Sequence, residues 1–354
     1  MNRRDFLHPR RAAQAAGHVL GALDVLDPPQ PAAAPPRETA LLRLGRRAMA
    51  TQFEIVLPFD SETALAHGQA AFDLLDQLED QLTVYREHSE VCRLNRTAFQ
   101  ASVPVEKGLF GLLQLAALIT EETDCAFDVT AGALIKAWGF CRGPRRVPTE
   151  GERAAALERT GMRWVRLDPE RRTVAFERRG LEINLGSIGK GYALDCVGAH
   201  LTATGKFPAV LLHGGRSSVY ARGSPDGDPR GWLVGISHPW EPDRRLAEVW
   251  LRDRSLGTSA ATFQHLEHDG KKLGHVLDPR TGWPAAGVAS ASVVAPTGAE
   301  ADALSTAFYV GGVELAHRYC AAHPAVGAIL LPEGDDAELV VLNLAPHDIA
   351  FPIR

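Results

Sequence analysis

The run Asn184-Leu185-Gly186-Ser187-Ile188-Gly189-Lys190-Gly191-Tyr192 has the composition of a turn that holds phosphate. Glycines let backbone N–H groups approach an anion, a helix start adds partial positive charge, and Lys190 adds a full one. It is not a P-loop: no glycine stands at the required place ahead of Gly189-Lys190, and Gly191 replaces the hydroxyl residue. It is not G-x-G-x-x-G either. By itself the run fits a structural tight turn equally well. A second stretch, Ala301-Asp302-Ala303-Leu304-Ser305-Thr306-Ala307, puts Asp302 and Thr306 at i and i+4 on one helix face. A carboxylate and a hydroxyl there suit a hard cation such as Mg²⁺, which takes few protein oxygens and completes its shell with water and phosphate. The pair also fits an acid at a helix start with a hydroxyl bonded back to the backbone.

A third stretch is His275-Val276-Leu277-Asp278-Pro279-Arg280-Thr281-Gly282-Trp283-Pro284. Asp-Pro-Arg-Thr-Gly is a turn in which proline sets φ, glycine supplies positive φ and the Asp side chain bonds locally. His275 precedes it at a strand end, where an imidazole titrates near neutral pH. A fourth, Ala126-Phe127-Asp128-Val129-Thr130-Ala131-Gly132 followed by Trp138-Gly139-Phe140, interleaves apolar groups with one carboxylate. It suits the wall of a site for a planar ligand, or a core segment with a capping Asp. His265-Leu266-Glu267-His268 lacks the spacing of a metalloprotease helix and runs into Asp269-Gly270, so it reads as a solvated hairpin end.

The elements that must position these residues follow from periodicity. Phe53, Ile55 and Leu57 alternate as on a strand that Pro58 ends. Leu65, Phe72, Leu75, Leu78 and Leu82 recur at helical spacing over residues 61–82, with Asp60 or Ser61 as the cap. A second helix is expected over residues 107–123. Beyond Pro148 the texture is short strands: 164–167, 173–176, 181–185, 209–212, 232–236, 248–251, 289–294, 328–331 and 339–344. Helices are expected over 189–204, stopped by Gly205, and over 299–310. Strands and helices mix without a βαβ rhythm, which predicts an α+β fold with mixed or antiparallel sheet.

Composition sets the outer bounds. Apolar residues make up 45% and charged residues 23%, the balance of a globular protein, and the net charge of −5 argues against a general nucleic-acid binder. No apolar run reaches about 18 residues, so no integral membrane segment is expected. The five cysteines, Cys92, Cys125, Cys141, Cys196 and Cys320, show no C-x-x-C spacing, which argues against a disulfide framework or a structural zinc site. Residues 1–26 open with Arg3-Arg4-Asp5-Phe6-Leu7, which resembles a twin-arginine export signal and equally fits a basic tail. Export predicts a periplasmic or cell-envelope location; a basic tail leaves the protein cytoplasmic. Residues 27–40 read as a Pro/Ala-rich linker, with the folded domain at 41–354.

The order of these motifs is more specific than any one of them. Met49-Ala50-Thr51, Tyr85-Arg86-Glu87-His88-Ser89, Leu94-Asn95, the Phe127-Asp128-Val129-Thr130 segment and Trp138-Gly139-Phe140 come first. The glycine turn, Gly214-Gly215, Thr258-Ser259, the His275 turn and Ala301-Asp302-Ala303-Leu304-Ser305-Thr306 continue the series. Together, over residues 45–345, they resemble the ApbE family of FAD:protein FMN transferases. The resemblance implies an α+β, T-fold-related domain with an FAD groove between sub-lobes. It implies Mg²⁺-dependent transfer of FMN from FAD to a Thr hydroxyl of a flavin-accepting redox or electron-transport protein, with release of AMP. Carried over by position, Asp302, Thr306 and the Ser187 carbonyl are the metal ligands. Met49, Tyr85, Arg86, Glu87, Ala126, Phe127, Asp128, Asn184, Lys190 and Val276 line FAD. His275 assists the attacking hydroxyl, and Lys190 neutralises phosphate charge.

The sequence departs from the family pattern at Asn184, where Asp is usual, at Ala50 and Ala260, where Gly is usual, and at Arg216, where Asp or Asn is typical. These departures motivate two alternatives: an FAD pyrophosphatase giving FMN and AMP, and an FAD-binding protein without turnover.

Overall fold

Every residue of the segment Val288–Ala295 is buried, and it lies inside the largest sheet of the protein. Small and β-branched residues (VASASVVA) permit this, because a strand covered on both faces needs side chains that fit under two layers. The computed structural model describes residues 40–351 apart from 60, 61, 142, 204, 242, 261–264, 269, 270 and 335. The export and linker expectations for the chain ahead of residue 40, and the cap expected at Asp60 or Ser61, lie outside the described residues.

In chain order, β1 (Leu41–Ala48) and β2 (Thr51–Pro58) form a hairpin and lead into α1 (Glu62–Leu82) and α2 (Glu90–Thr97). Next come β3 (Val103–Pro104), α3 (Lys107–Glu122), α4 (Gly132–Ala137), α5 (Glu150–Leu157), β4 (Val165–Asp168), β5 (Thr173–Phe176) and α6 (Gly189–Thr202). Then follow β6 (Val210–Gly214), β7 (Ser218–Arg222), β8 (Trp232–Ser237), β9 (Arg245–Leu251), β10 (Arg254–Ala260), β11 (His265–His268) and β12 (Lys271–Gly274). The chain finishes with β13 (Val288–Ala295), α7 (Gly298–Ala322), β14 (Gly327–Pro332), β15 (Val340–Leu342) and β16 (Ile349–Ala350). No helix among the described residues is long and apolar enough to cross a membrane.

The main sheet has eight strands in the order β1-β2-β6-β7-β10-β13-β14-β15. One face carries α1, α6 and α7; the other carries the three-stranded sheet β16-β9-β8. Successive residues therefore feed different cores: Ile55 and Leu57 pack under the helices, while Val56 packs against the smaller sheet with Leu211, Val249 and Val294. Every pairing between neighbouring strands of the main sheet is antiparallel, so the sheet is not mixed.

Two expectations need correction. Residues 181–185 are not a ladder strand. Leu181, Ile183 and Leu185 are buried in alternation, but the segment makes one isolated bridge, Ala131 to Glu182. The Asn95 side chain takes the place of a neighbouring strand: its amide donates to the Ile183 carbonyl at 2.9 Å, and its oxygen accepts the Ile183 N–H at 2.8 Å. The helix expected over 299–310 runs to Ala322, with a break at Gly312, where φ is +79°. Gly312, just past the expected end, marks a kink.

The starts of α6 and α7 meet with almost no space between them. A Cβ placed on Gly191 would lie 1.9 Å from the Gly298 carbonyl oxygen. Asp195, one turn along α6, accepts the first N–H groups of α7 from Gly298 at 2.6 Å and Ala299 at 2.9 Å. Burial pushes the Asp195 carboxyl up to about 6 from 3.8, although the two N–H donors pull it down; the Asp302 and Glu300 charges add to the rise.

At the β1–β2 hairpin, Met49 and Ala50 both have positive φ, +46° and +61°. Two-residue hairpin loops of this kind favour glycine or asparagine. A methyl side chain in the left-handed region costs about 1–2 kcal/mol, which glycine avoids at a smaller entropic cost. Ala50→Gly is expected to raise stability by about 0.5–1 kcal/mol, read as a higher Tm; a lower Tm would contradict this account of the turn. Asp195 gives a second expectation. Between pH 4 and 6 the folded state binds a proton that the unfolded chain does not, so this carboxyl favours folding more as pH falls. Relative to Asp195→Asn, the wild type should gain about 1 kcal/mol on going from pH 7 to pH 5. Paired thermal melts check it; a difference independent of pH contradicts it.

Candidate functional site

The glycine turn is built by its own residues. The Asn184 Oδ1 accepts the Gly186 N–H at 2.9 Å, and the Asn184 N–H donates to the Val129 carbonyl at 2.7 Å. The Leu185 carbonyl then accepts the Ile188 N–H at 3.2 Å and the Gly189 N–H at 2.7 Å, closing the turn as α6 begins. No side chain caps this helix start. Ser187 and Lys190 sit half-buried on either side of it.

Asp302 reaches this start from α7. Its carboxylate accepts the Gly191 N–H at 2.7 Å and the Ser218 hydroxyl at 2.7 and 3.0 Å. Burial pushes the Asp302 carboxyl up; the Lys190 charge, the Ser218 hydroxyl and the Gly191 N–H pull it back. One turn on, the Thr306 hydroxyl donates to the Asp302 carbonyl at 3.2 Å and lies 3.1 Å from the Ser259 hydroxyl. Gly257 lets β10 come this close, since a Cβ there would lie 2.4 Å from the Ala301 carbonyl group. Thr258 and Ser259 thus run along the base of α7, with Ser259 Oγ also 2.9 Å from Ser305 Oγ. Among the described residues no group of three or more His, Cys, Asp or Glu side chains is placed to hold a metal ion. The donors here are one carboxylate with hydroxyl and carbonyl oxygens, a hard set.

Beside the glycine turn a cleft of about 220 Å³ is lined by Asn184, Glu182, Gly132, Glu87, Cys92 and Asn95. Lys136, ion-paired with Glu182, and Cys141 also face it. The structure therefore gathers Ser187, Lys190, Asp302 and Thr306 around one helix start, with Asn184 and Glu87 in the adjoining cleft.

Other expected residues stand elsewhere or act differently. Asp128 is buried and already engaged: Oδ1 accepts the Thr130 N–H at 2.8 Å and hydroxyl at 2.6 Å, and Oδ2 accepts the Met162 N–H at 2.9 Å. The Ala126 and Phe127 side chains belong to the main core, leaving only their backbone for a ligand. Tyr85 is exposed, and Arg86 pairs with Asp80 and, at 3.5 Å, with Glu79. Met49 packs partly on the core at its hairpin, next to Gly215, whose N–H donates to the Gln52 carbonyl at 2.8 Å. Arg216 is exposed at the neighbouring β6–β7 tip, and Ala260 ends β10.

His275 leaves β12 at the base of a tight turn. The Asp278 N–H donates to the Trp283 carbonyl at 2.8 Å, and the Ala285 N–H to the Val276 carbonyl at 2.9 Å. The turn is anchored by the buried Trp138, whose Nε1–H donates to the Gly282 carbonyl at 2.9 Å. The His275 ring meets Phe140 edge-on, centroids 6.5 Å apart, and Val276 packs on the main core.

Sequence reasoning did not find Ser218 or Asp195. Ser218 follows Gly214-Gly215 closely, and nothing local distinguishes it from its neighbour Ser217. Asp195 sits mid-helix, where its partner, the start of α7, is a hundred residues away in sequence.

Comparison with known proteins agrees with this geometry. The chain is 34% identical over 277 residues to the FAD:protein FMN transferase of Treponema pallidum, covering 74% of this chain and 76% of that one. It is 27% identical to the FAD:protein FMN transferase of Escherichia coli K12, covering 87% and 88%. Its fold superimposes on the crystal structure of the ApbE protein of Thermotoga maritima with a TM-score of 0.78 at 27% identity, covering 86% of this chain and 97% of that one. The flavin transferase ApbE of Vibrio cholerae gives 0.75 at 25% identity, over the same shares. The sequence profile of the ApbE family matches residues 49–330, the span that holds the glycine turn, the His275 hairpin and Asp302, and the chain belongs to that family.

Proposed function

We propose that this protein is an FAD:protein FMN transferase, moving the FMN half of FAD onto a threonine hydroxyl of a partner protein. The observation that carries the reading is the buried Asp302 carboxylate, one hydrogen bond from Gly191 where the glycine turn enters α6. A lysine and a helix start bring positive charge there, and the carboxylate can hold a cation, as charge neutralisation in phosphoryl transfer requires.

The FAD pyrophosphate would lie against the turn at Ser187 to Lys190, with Asn184 and Glu87 contacting the cofactor in the adjoining cleft. Asn184 already gives its oxygen to Gly186, so it offers FAD its amide N–H groups and not a charge. Asp128, whose oxygens are occupied by Thr130 and Met162, would hold its own segment in place so that the Ala126 and Phe127 backbone can meet FAD. Met49, Tyr85, Arg86 and Val276 would complete the lining.

The donor set fits Mg²⁺. Asp302 accepts two hydrogen-bond donors but has room for about four. Its buried charge is costly without a cation, and the Thr306 hydroxyl and Ser187 carbonyl supply further hard oxygens. Bound there, the metal would neutralise charge on the pyrophosphate and on the departing AMP. His275 would hold or accept the hydroxyl proton as the threonine oxygen bonds to the FMN phosphorus and the bond to AMP breaks. If the Arg3-Arg4 signal exports the chain, the acceptor is an envelope protein.

The test is to incubate the protein with FAD and Mg²⁺, with and without an acceptor carrying an exposed threonine. AMP and acceptor-bound flavin should appear together and only with acceptor. AMP at the same rate without acceptor would make the protein a pyrophosphatase, and no AMP in either case would end the enzymatic reading. Lys190→Ala should lower kcat/KM by about 10²-fold. His275→Ala should lower transfer at saturating acceptor by about 10²-fold; an unchanged rate removes its role.

A further inference from the structure

Two of the five cysteines face the same cleft. Cys92 and Cys141 both line the roughly 220 Å³ space beside Asn184 and Glu87, from different elements. Cys92 sits in the first turn of α2, and its thiol donates weakly to the Thr83 carbonyl at 3.7 Å. Cys141 follows Phe140 on the segment between α4 and α5, just after Gly139 with its positive φ of +73°. Both are half-buried and neither is in a disulfide.

The other three thiols are differently placed. Burial pushes the Cys320 thiol up to about 11 and raises Cys196 as well, so both stay protonated and unreactive. Cys125 is exposed, is also pushed up, and lines a separate cleft with Arg163 and Arg280. Only Cys92 and Cys141 combine a free thiol with a position on the wall of the space beside the glycine turn.

We propose that Cys92 and Cys141 form a thiol modification site inside the flavin cleft, where a mixed disulfide with a low-molecular-weight disulfide excludes FAD and bound FAD in turn shields the thiols. This rests on the reading that the cleft takes flavin. The chemistry is thiol–disulfide exchange. A cysteine thiolate attacks one sulfur of the reagent, a protein–reagent S–S bond forms, and the reagent S–S bond breaks. The second half leaves as a thiol, carrying the proton that the cysteine lost. The adduct takes up space in a cleft of about 220 Å³, where its bulk competes with FAD, and a reducing thiol reverses it.

The experiment uses the full chain and glutathione disulfide. FAD affinity is first measured by flavin fluorescence on untreated protein; no binding would remove both this inference and the flavin reading. The protein is then treated, adducts are located by peptide mass spectrometry, and FAD affinity is measured again before and after dithiothreitol. Modification at Cys141 or Cys92 should weaken FAD binding by about tenfold or more and be reversed by reduction. Prior saturation with FAD should block adducts at these residues but not at Cys125. In the Cys92→Ser/Cys141→Ser variant, FAD affinity should be the same before and after treatment, whatever its level. Unchanged affinity in wild type carrying the adduct at Cys141 overturns the inference while leaving the flavin reading intact. Loss that persists in the double variant overturns it as well.

Discussion

Two helix N-termini are forced together in this protein, and a carboxylate from each helix, Asp302 buried and Asp195 half-buried, holds the other. Asp302 of α7 accepts the Gly191 N–H of α6, and Asp195 of α6 accepts the Gly298 and Ala299 N–H groups of α7. Each helix start carries partial positive charge, so their approach is repulsive without these anions. Gly191 and Gly298 make the approach sterically possible, and Gly257 brings β10 under the same junction. The outcome is a corner fixed by these bonds, where the Lys190 charge, the Asp302 carboxylate and the Ser218 and Thr306 hydroxyls come together. Such preorganisation is what a phosphoryl-transfer site needs, because most of its catalysis is positioning and charge neutralisation.

Ala50, Arg216 and Asn184, three of the four departures from the pattern that the resemblance implies, make none of the hydrogen bonds of this corner. Ala50 strains a hairpin turn but lies on the rim. Arg216 is exposed at a strand tip, two residues from Ser218, so its charge stands outside the junction. Asn184 keeps the turn geometry through its bond to the Gly186 N–H, which an Asp oxygen would make equally well. The constraint thus falls on Gly191, Ser218, Asp302 and Gly298, where the backbones touch.

The sequence made much of this legible, and its failures have physical causes. The i, i+4 pair Asp302 and Thr306 and the turn-to-helix reading of residues 184–192 needed only local rules, and both features are present. The strands of the main sheet were found where apolar residues recur. β1, β7 and β10 were missed because arginine, serine and glycine interrupt the apolar alternation along them. Residues 181–185 looked like a strand because their apolar residues alternate, yet their partner is the Asn95 side chain, which no periodicity can reveal. Asp195 and Ser218 were invisible because each acts on a group far away in sequence. The ordered series of motifs carried the family identification, which local chemistry alone left open between a phosphate site and a structural turn.

In the proposed function the Asp302 carboxylate holds the Gly191 N–H and the Ser218 hydroxyl and, at the same time, a divalent cation on the FAD pyrophosphate. Asp302→Asn separates them, since an amide oxygen still accepts the N–H but binds the cation poorly. The direct measurement is FAD affinity by flavin fluorescence, with and without Mg²⁺, in wild type and in Asp302→Asn, alongside thermal melts of both. The account predicts that wild-type affinity rises with Mg²⁺, while the variant stays folded and its affinity does not respond to the ion. A folded Asp302→Asn protein whose FAD affinity rises with Mg²⁺ as much as wild type would contradict it.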